Sequence, residues 1–232
     1  MKFFSWNIRQ GGGSRIEKIL AELECHANAD LIILSEYRNN DKGQIIKKQL
    51  QKLGFSFQYV PTQEPKVNTV LVAAKHFVQF RKHSELNQHQ HRVVSILWKG
   101  FHILATYFPQ GKEKAAVFGF LNKLIEIESS ENILLIAGDI NTGIHYEDEI
   151  ENSFYCSQDF ISLQNNGMTD AWRRMNGDSK EYSWYSNKGN GFRIDHYLIS
   201  SIHRDSVQSC YYLHEPRKAK ISDHSQMVLH LN

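Results

Sequence analysis

Residues 102–141, HILATYFPQGKEKAAVFGFLNKLIEIESSENILLIAGDIN, contain the pattern that decides the fold. His102 to Phe108 and Ile133 to Ala137 are short apolar runs of strand length. Between them Val117, Phe120, Leu121, Leu124 and Ile125 follow an i, i+3, i+4 stripe. That spacing predicts a helix lying on a sheet, with Lys114 and Lys123 in water. Both strands finish on polar residues, Tyr107 on the first and Asp139 with Asn141 on the second, which a buried strand does not need.

Outward from this stretch the same alternation continues irregularly. Further strands are expected over Phe3–Ile8, Leu31–Ser35, Phe55–Val60, Thr69–Ala74, Val93–Trp98, Phe192–Ile199, Val207–Leu213 and Met227–Leu231. Ser14 and Glu17 have capping-box spacing ahead of Ile16, Ile19, Leu20 and Leu23. A second helix runs from Asp41 to a stop at Gly54, and a short one from near Ser157 to Gly167. Helices so scattered do not make a regular βαβ series. The expected fold is therefore α/β, with two sheets packed face to face and helices outside.

At 232 residues with 41% hydrophobic content the chain can bury a core without crosslinks, and its four prolines mark no linker, so one domain over 1–232 is expected. Lys+Arg 27 against Asp+Glu 25 excludes a polyanion binder that works by bulk charge; any such ligand needs a local patch. Cys25, Cys156 and Cys210 are odd in number and far apart, which argues against a disulfide framework or zinc pair and for a reducing compartment. His89 and His91 are spaced H-x-H without a supporting zinc motif, and a solvated strand entry is expected there. There is no signal-peptide pattern and no apolar run of about 18 residues, so a cytoplasmic protein without membrane association is expected.

The chemistry-bearing residues gather at strand ends. Asn7 ends the first strand and Glu36 the second; Tyr107, Asp139 and Asn141 end later ones. Layered α/β folds assemble sites at such ends. Asp139 and Asn141 also suit an ordinary turn. Asp195 and His224 weigh against that reading, because a carboxylate and an imidazole opening two apolar strands need partners. An aspartate that orients a histidine, beside other carboxylates that hold a cation, would supply them.

The segments SWNIR (5–9), LSE (34–36), YFPQG (107–111), GDIN (138–141), GMTDAWR (167–173), YSW (182–184), GFRIDHYLIS (191–200) and SDH (222–224), taken in order, resemble the endonuclease/exonuclease/phosphatase superfamily. Within it they resemble the exonuclease III class of abasic-site endonucleases. The likeness spans nearly the whole chain. It implies a four-layered α/β sandwich, two mainly antiparallel sheets face to face with helices outside. It also implies metal-dependent cleavage of a phosphate ester, in DNA repair.

By that resemblance Glu36 is the principal metal ligand, with Asn7 and Asp223 completing or bordering the site. Asp139 and Asn141 lie beside the attacking water and the scissile phosphate and share the metal site. Oxygen ligands of this kind suit Mg2+ or Mn2+. Tyr107 is a phosphate contact or acid. His224, held by Asp195, is either the base or the stabiliser of the charged intermediate. Arg9, Trp184, Phe192 and Arg193 are expected to contact substrate, with core packing an equal alternative for Phe192.

The implied partner is duplex DNA, bound by a monomer. A small acidic or amide residue is usual in the repair enzymes where this chain has Arg9, and Gly11 to Gly13 could form an anion-binding turn or a flexible connection. The competing function is a phosphoesterase of the same superfamily acting on RNA, a small phosphoester or a lipid headgroup. An inactive docking module is a third reading, disfavoured by the full set of polar residues.

Overall fold

The computed structural model describes residues 1–128 and 132–232. In chain order the first half holds β1 (Lys2–Asn7), α1 (Ile16–Cys25), β2 (Leu31–Tyr37), α2 (Asp41–Lys52), β3 (Phe57–Tyr59), β4 (Thr69–Ala74), β5 (Gln79–Lys82), β6 (Val93–Trp98) and β7 (Phe101–Tyr107). The second half holds α3 (Lys114–Glu128), β8 (Ile133–Asp139), α4 (Ser157–Asn165), β9 (Met168–Asp170), α5 (Ala171–Asn176), β10 (Trp184–Tyr185), β11 (Gly191–Phe192), β12 (Asp195–Ser200), β13 (Val207–Leu213), α6 (Glu215–Lys218) and β14 (Gln226–Leu231).

Two six-stranded sheets form, in the orders β13-β14-β1-β2-β4-β3 and β5-β6-β7-β8-β12-β9. The pairs β1–β2 and β7–β8 are parallel, and their neighbours in each sheet are antiparallel. Alternation within the apolar runs makes the layers. On β1 and β2, Phe3, Leu31 and Ile33 meet Ile103, Ala105, Leu135 and Ala137 of the other sheet in one core. The intervening Phe4, Trp6, Ile32 and Leu34 turn outward onto Ile19 and Leu23 of α1 and Ile46 and Leu50 of α2. Likewise Leu104, Ile136 and Leu198 face Val117, Phe118, Leu121 and Ile125 of α3 and Phe160 of α4. Strands covered on both faces are apolar at nearly every position, which explains the continuous runs. The result is the expected four-layered sandwich.

Several local expectations change. The Ser14/Glu17 capping box does not form: α1 starts at Ile16 without a side-chain cap, because Gly11, Gly12 and Gly13 take positive φ and an irregular 3-10 turn delivers the chain to the helix. Gly11 and Gly12 are buried, so this turn is packed against its surroundings and not a loose connection. Asn40 caps α2, its side chain accepting from Gly43 N at 3.1 Å. On α3, Phe118 is buried and Phe120 only partly so. The Phe192–Ile199 strand is broken, since Arg193 N turns to Asp148 O (2.8 Å) and Ile194 O to Ile140 N (2.9 Å) before β12 begins. His89 is 5% exposed inside a 3-10 segment, not solvated. Among the described residues no helix is long and apolar enough to cross a membrane.

Candidate active site

The two parallel pairs explain where the polar residues meet. Because β1 runs with β2 and β7 with β8, their carboxyl ends emerge at the same edge, carrying Asn7, Glu36, Tyr107 and Asp139. The antiparallel β12 starts there too, with Asp195 paired to Asp139. Antiparallel pairing of β14 with β1, Ser5 opposite Met227, brings His224 to the same place. The edge is closely packed: Gly138 has φ +130°, and a Cβ there would lie 2.1 Å from Thr106 O.

Asn7 joins the two sheets. Its Nδ2 donates to Asp139 Oδ2 at 2.8 Å and to Glu36 Oε1 at 3.2 Å. Glu36 sits in a bulge at φ +54°, a conformation costly for a side chain with a Cβ. Its Oε2 accepts from Gln10 N at 2.8 Å and Asn68 Nδ2 at 3.2 Å. Asp139 also accepts from Asn141 N at 3.0 Å and Asn141 Nδ2 at 3.3 Å. Burial, with Asp195 and Glu36 nearby, pushes the Asp139 carboxyl up to about 7 against the opposing pull of His224.

His224 Nδ1 donates to Asp195 Oδ2 at 2.8 Å, both side chains being buried. Burial alone would lower the imidazole, but Asp195 and Asp139 outweigh it and hold it up at about 10, so it is a cation at neutral pH. Asp195 is itself fixed: its backbone N donates to Ser183 Oγ at 3.3 Å and its carbonyl accepts from Tyr212 OH at 2.6 Å. Trp6 Nε1 donates to His224 O at 3.2 Å.

Glu36, Asn141 and His224 open into a cleft of about 500 Å³, with Asn7, Asp139 and Asp195 buried behind them. Trp184, Phe192 and Ile194 form its apolar wall, with the Trp184 and Phe192 rings 5.6 Å apart and Phe154 against Phe192 at 5.7 Å. Arg9, Glu36, Asn141, Asp223 and His224 line the polar side. Tyr107 is buried below, and burial together with Glu36 and Asp139 pushes its hydroxyl up to about 12, so it stays protonated.

Arg193 does not reach this cleft. It is 1% exposed, bound to Asp148 at 2.6 Å and Asp170 at 2.8 Å and stacked over Trp172, so its expected substrate contact gives way to a structural one. Lys114 moves the other way. Expected in water, it is 4% exposed at the start of α3, where it donates to Asn141 O and lines the cleft; burial lowers its amine to about 8. The apolar stripe of α3 fixes only that position's angle on the helix. The sole sequence signal was its place just after the YFPQG segment.

The donor chemistry suits a hard divalent cation. Glu36 and Asp139 offer carboxylate oxygens linked through one amide, and among the described residues Glu36 meets no fixed cation. The tightest described group of ligand atoms, within 4.8 Å, is Asp139, Asp195 and His224. A protonated His224 has no lone pair to give, so that trio is an ion-pair set. Of the residues expected beside the metal, Asn7 and Asn141 here act through their amide nitrogens as donors to Asp139, and Asp223 faces Arg9 at 3.6 Å.

In sequence comparisons no protein-family model and no curated protein matches the chain. Solved structures do. The 3′ phosphatase NExo from Neisseria bound to a product DNA hairpin superposes with TM-score 0.84 at 20% identity, over 100% of this chain and 99% of that one. An AP endonuclease from Archaeoglobus fulgidus gives 0.81 at 18%, over 100% and 99%. A 3′-5′ exonuclease (NExo) from Neisseria meningitidis gives 0.81 at 20%, over 100% of both chains. The chain thus has, end to end, the fold of these three structures.

Proposed function

We propose that this chain is a divalent-metal-dependent phosphodiesterase of DNA, cutting duplex DNA at an abasic site or a 3′ end and leaving a 3′ hydroxyl. The observation that carries it is the meeting of Asp139, aligned by Asn7 and Asn141, with the Asp195-bound imidazolium of His224 at the floor of a cleft walled by Trp184, Phe192 and Ile194. The full-length likeness to enzymes named for DNA 3′ ends and AP sites supports it.

Attack on a phosphodiester needs a water to lose its proton and a crowded anion to be neutralised. Glu36, with Asp139 beside it, would hold Mg2+ or Mn2+, which supplies positive charge at the phosphate and a more acidic water. Asp139 accepts the proton of the attacking water; its carboxylate is aimed by three amide bonds and poised near neutrality. His224, already charged, stabilises the extra negative charge of the phosphorane-like state, which favours that role over the base. The Lys114 ammonium and the neutral Tyr107 hydroxyl stand near as donors. The apolar recess of Trp184, Phe192 and Ile194 beside them suits a sugar that has lost its base.

A monomer inside the cell, where Cys25, Cys156 and Cys210 remain free thiols, completes this reading. The test is kcat/KM in one Mg2+ buffer on abasic duplex, 3′-phosphate-ended duplex, blunt duplex, single strand, a small phosphodiester and a phospholipid. The abasic or 3′-ended duplex should lead. A small ester or lipid turned over at least as efficiently would contradict it.

A further inference from the structure

Asp223 and Arg9 form a unit, and we propose that Asp223 is the anchor of Arg9, not a metal ligand, and that the guanidinium so held grips a phosphate of the substrate. The proposal rests on the phosphodiesterase reading above and assigns the cleft's charges more finely.

Arg9 stands at φ +54°, followed by Gln10 at +51°. Such a turn persists only when its surroundings hold it. Arg9 N donates to Asn7 Oδ1 at 2.9 Å, and Arg9 O accepts from Arg15 Nη2 at 2.7 Å and Gly12 N at 3.1 Å. The other end of the same guanidinium, Arg15 Nη1, donates to Ile221 O at 2.7 Å. Arg15 therefore ties the turn that carries Arg9 to the segment that carries Asp223.

The charges then divide. Arg9 Nε lies 3.6 Å from Asp223 Oδ2, with the side chains 53% and 38% exposed at the rim of the cleft. So open a pair adds little to stability, and its consequence is geometric. A carboxylate already facing a guanidinium attracts a further cation less than one met only by amides, and Glu36 is met only by amides among the described residues. With Nε turned to Asp223, both Nη groups of Arg9 lack a protein acceptor among the described residues. A guanidinium in that state offers a fork of N–H groups that matches two phosphate oxygens.

Mn2+ binding to the full chain, measured by titration calorimetry without DNA, separates the roles. Asp223→Asn should change the Mn2+ Kd by less than about twofold, as expected for a group that is not a ligand, whereas Glu36→Gln should weaken it by about tenfold or more. In steady-state cleavage of a 3′-ended duplex, Arg9→Ala and Asp223→Asn should each raise KM, by about tenfold for loss of a charged hydrogen bond, with a smaller change in kcat. The double variant should be no worse than Arg9→Ala alone, and Arg9→Lys should not restore KM, because an ammonium cannot bond Asp223 and fork a phosphate together. Loss of Mn2+ affinity in Asp223→Asn equal to that in Glu36→Gln would overturn the proposal. So would KM effects that multiply. The Mn2+ arm uses no DNA, so a wild type that cleaved none would contradict the function above while this arm still decided the role of Asp223.

Discussion

Asp195 and His224 begin two strands of different sheets, β12 and the approach to β14, yet their buried side chains meet at 2.8 Å beside the cleft. An aspartate that charges and aims an imidazole has no effect once the imidazole is gone. Asp195→Ala and His224→Ala should each slow cleavage by about 10²–10⁴, as for a positioned acid or base, and the double variant should be no slower than the worse single one. Single-turnover rates of the three variants check this, and effects that multiplied would show two independent roles.

Lys114 lies against Asn141 at the start of α3 and lines the cleft in which the proposed reaction would take place. Lys114→Met keeps the length of the side chain and removes the charge. It should lower kcat/KM by about 10- to 100-fold, the range for losing a charged hydrogen bond, with a near-native unfolding midpoint. An unchanged kcat/KM would make Lys114 a packing residue.

Much of this site was legible because polar residues at the ends of apolar strands have no structural excuse, and Asn7, Glu36, Tyr107, Asp139, Asn141, Asp195 and His224 all stand there. What lies above a helix face was not legible. Lys114 occupies a position whose stripe angle reads as solvent, yet it is buried and donates to Asn141 O in a distant loop. Arg193 was misplaced for the converse reason, since its partners Asp148 and Asp170 are 45 and 23 residues away in sequence, positions that no local pattern connects. The strand β5, QFRK, was missed because an edge strand with exposed side chains has no apolar alternation to read.

The Arg193 cluster sets the response to acid. Burial alone would raise the Asp170 carboxyl, but the Arg193 guanidinium, the His196 ring and the Arg173 backbone N outweigh it and hold it well below the usual carboxylate range. A carboxyl lowered in the folded state contributes its full stability above its unfolded value of about 3.9, and loses it as pH falls below that. Urea unfolding should therefore weaken progressively below about pH 4, and Asp170→Asn should be less stable at neutral pH with a flatter acid limb. Arg193→Met, which takes the buried guanidinium away from Asp148 and Asp170 and leaves them Arg173 and His196, should cost about 3–5 kcal/mol. A neutral-pH loss below about 1 kcal/mol, the range of exposed pairs, would contradict the burial of the cluster.

The central claim is that Glu36 and Asp139 make this cleft a cation-dependent site for DNA phosphodiesters, and the most direct measurement is the single-turnover rate on an abasic or 3′-ended duplex, with Mg2+ and with excess chelator, for the wild type and Glu36→Gln. The wild type should cleave with Mg2+ and stop with chelator. Glu36→Gln should be slower by at least about 10²-fold, the scale for removing a group that stabilises the transition-state charge, and should recover in part as Mg2+ is raised. Cleavage at the full rate in chelator, or a glutamine variant as fast as the wild type, would contradict the account.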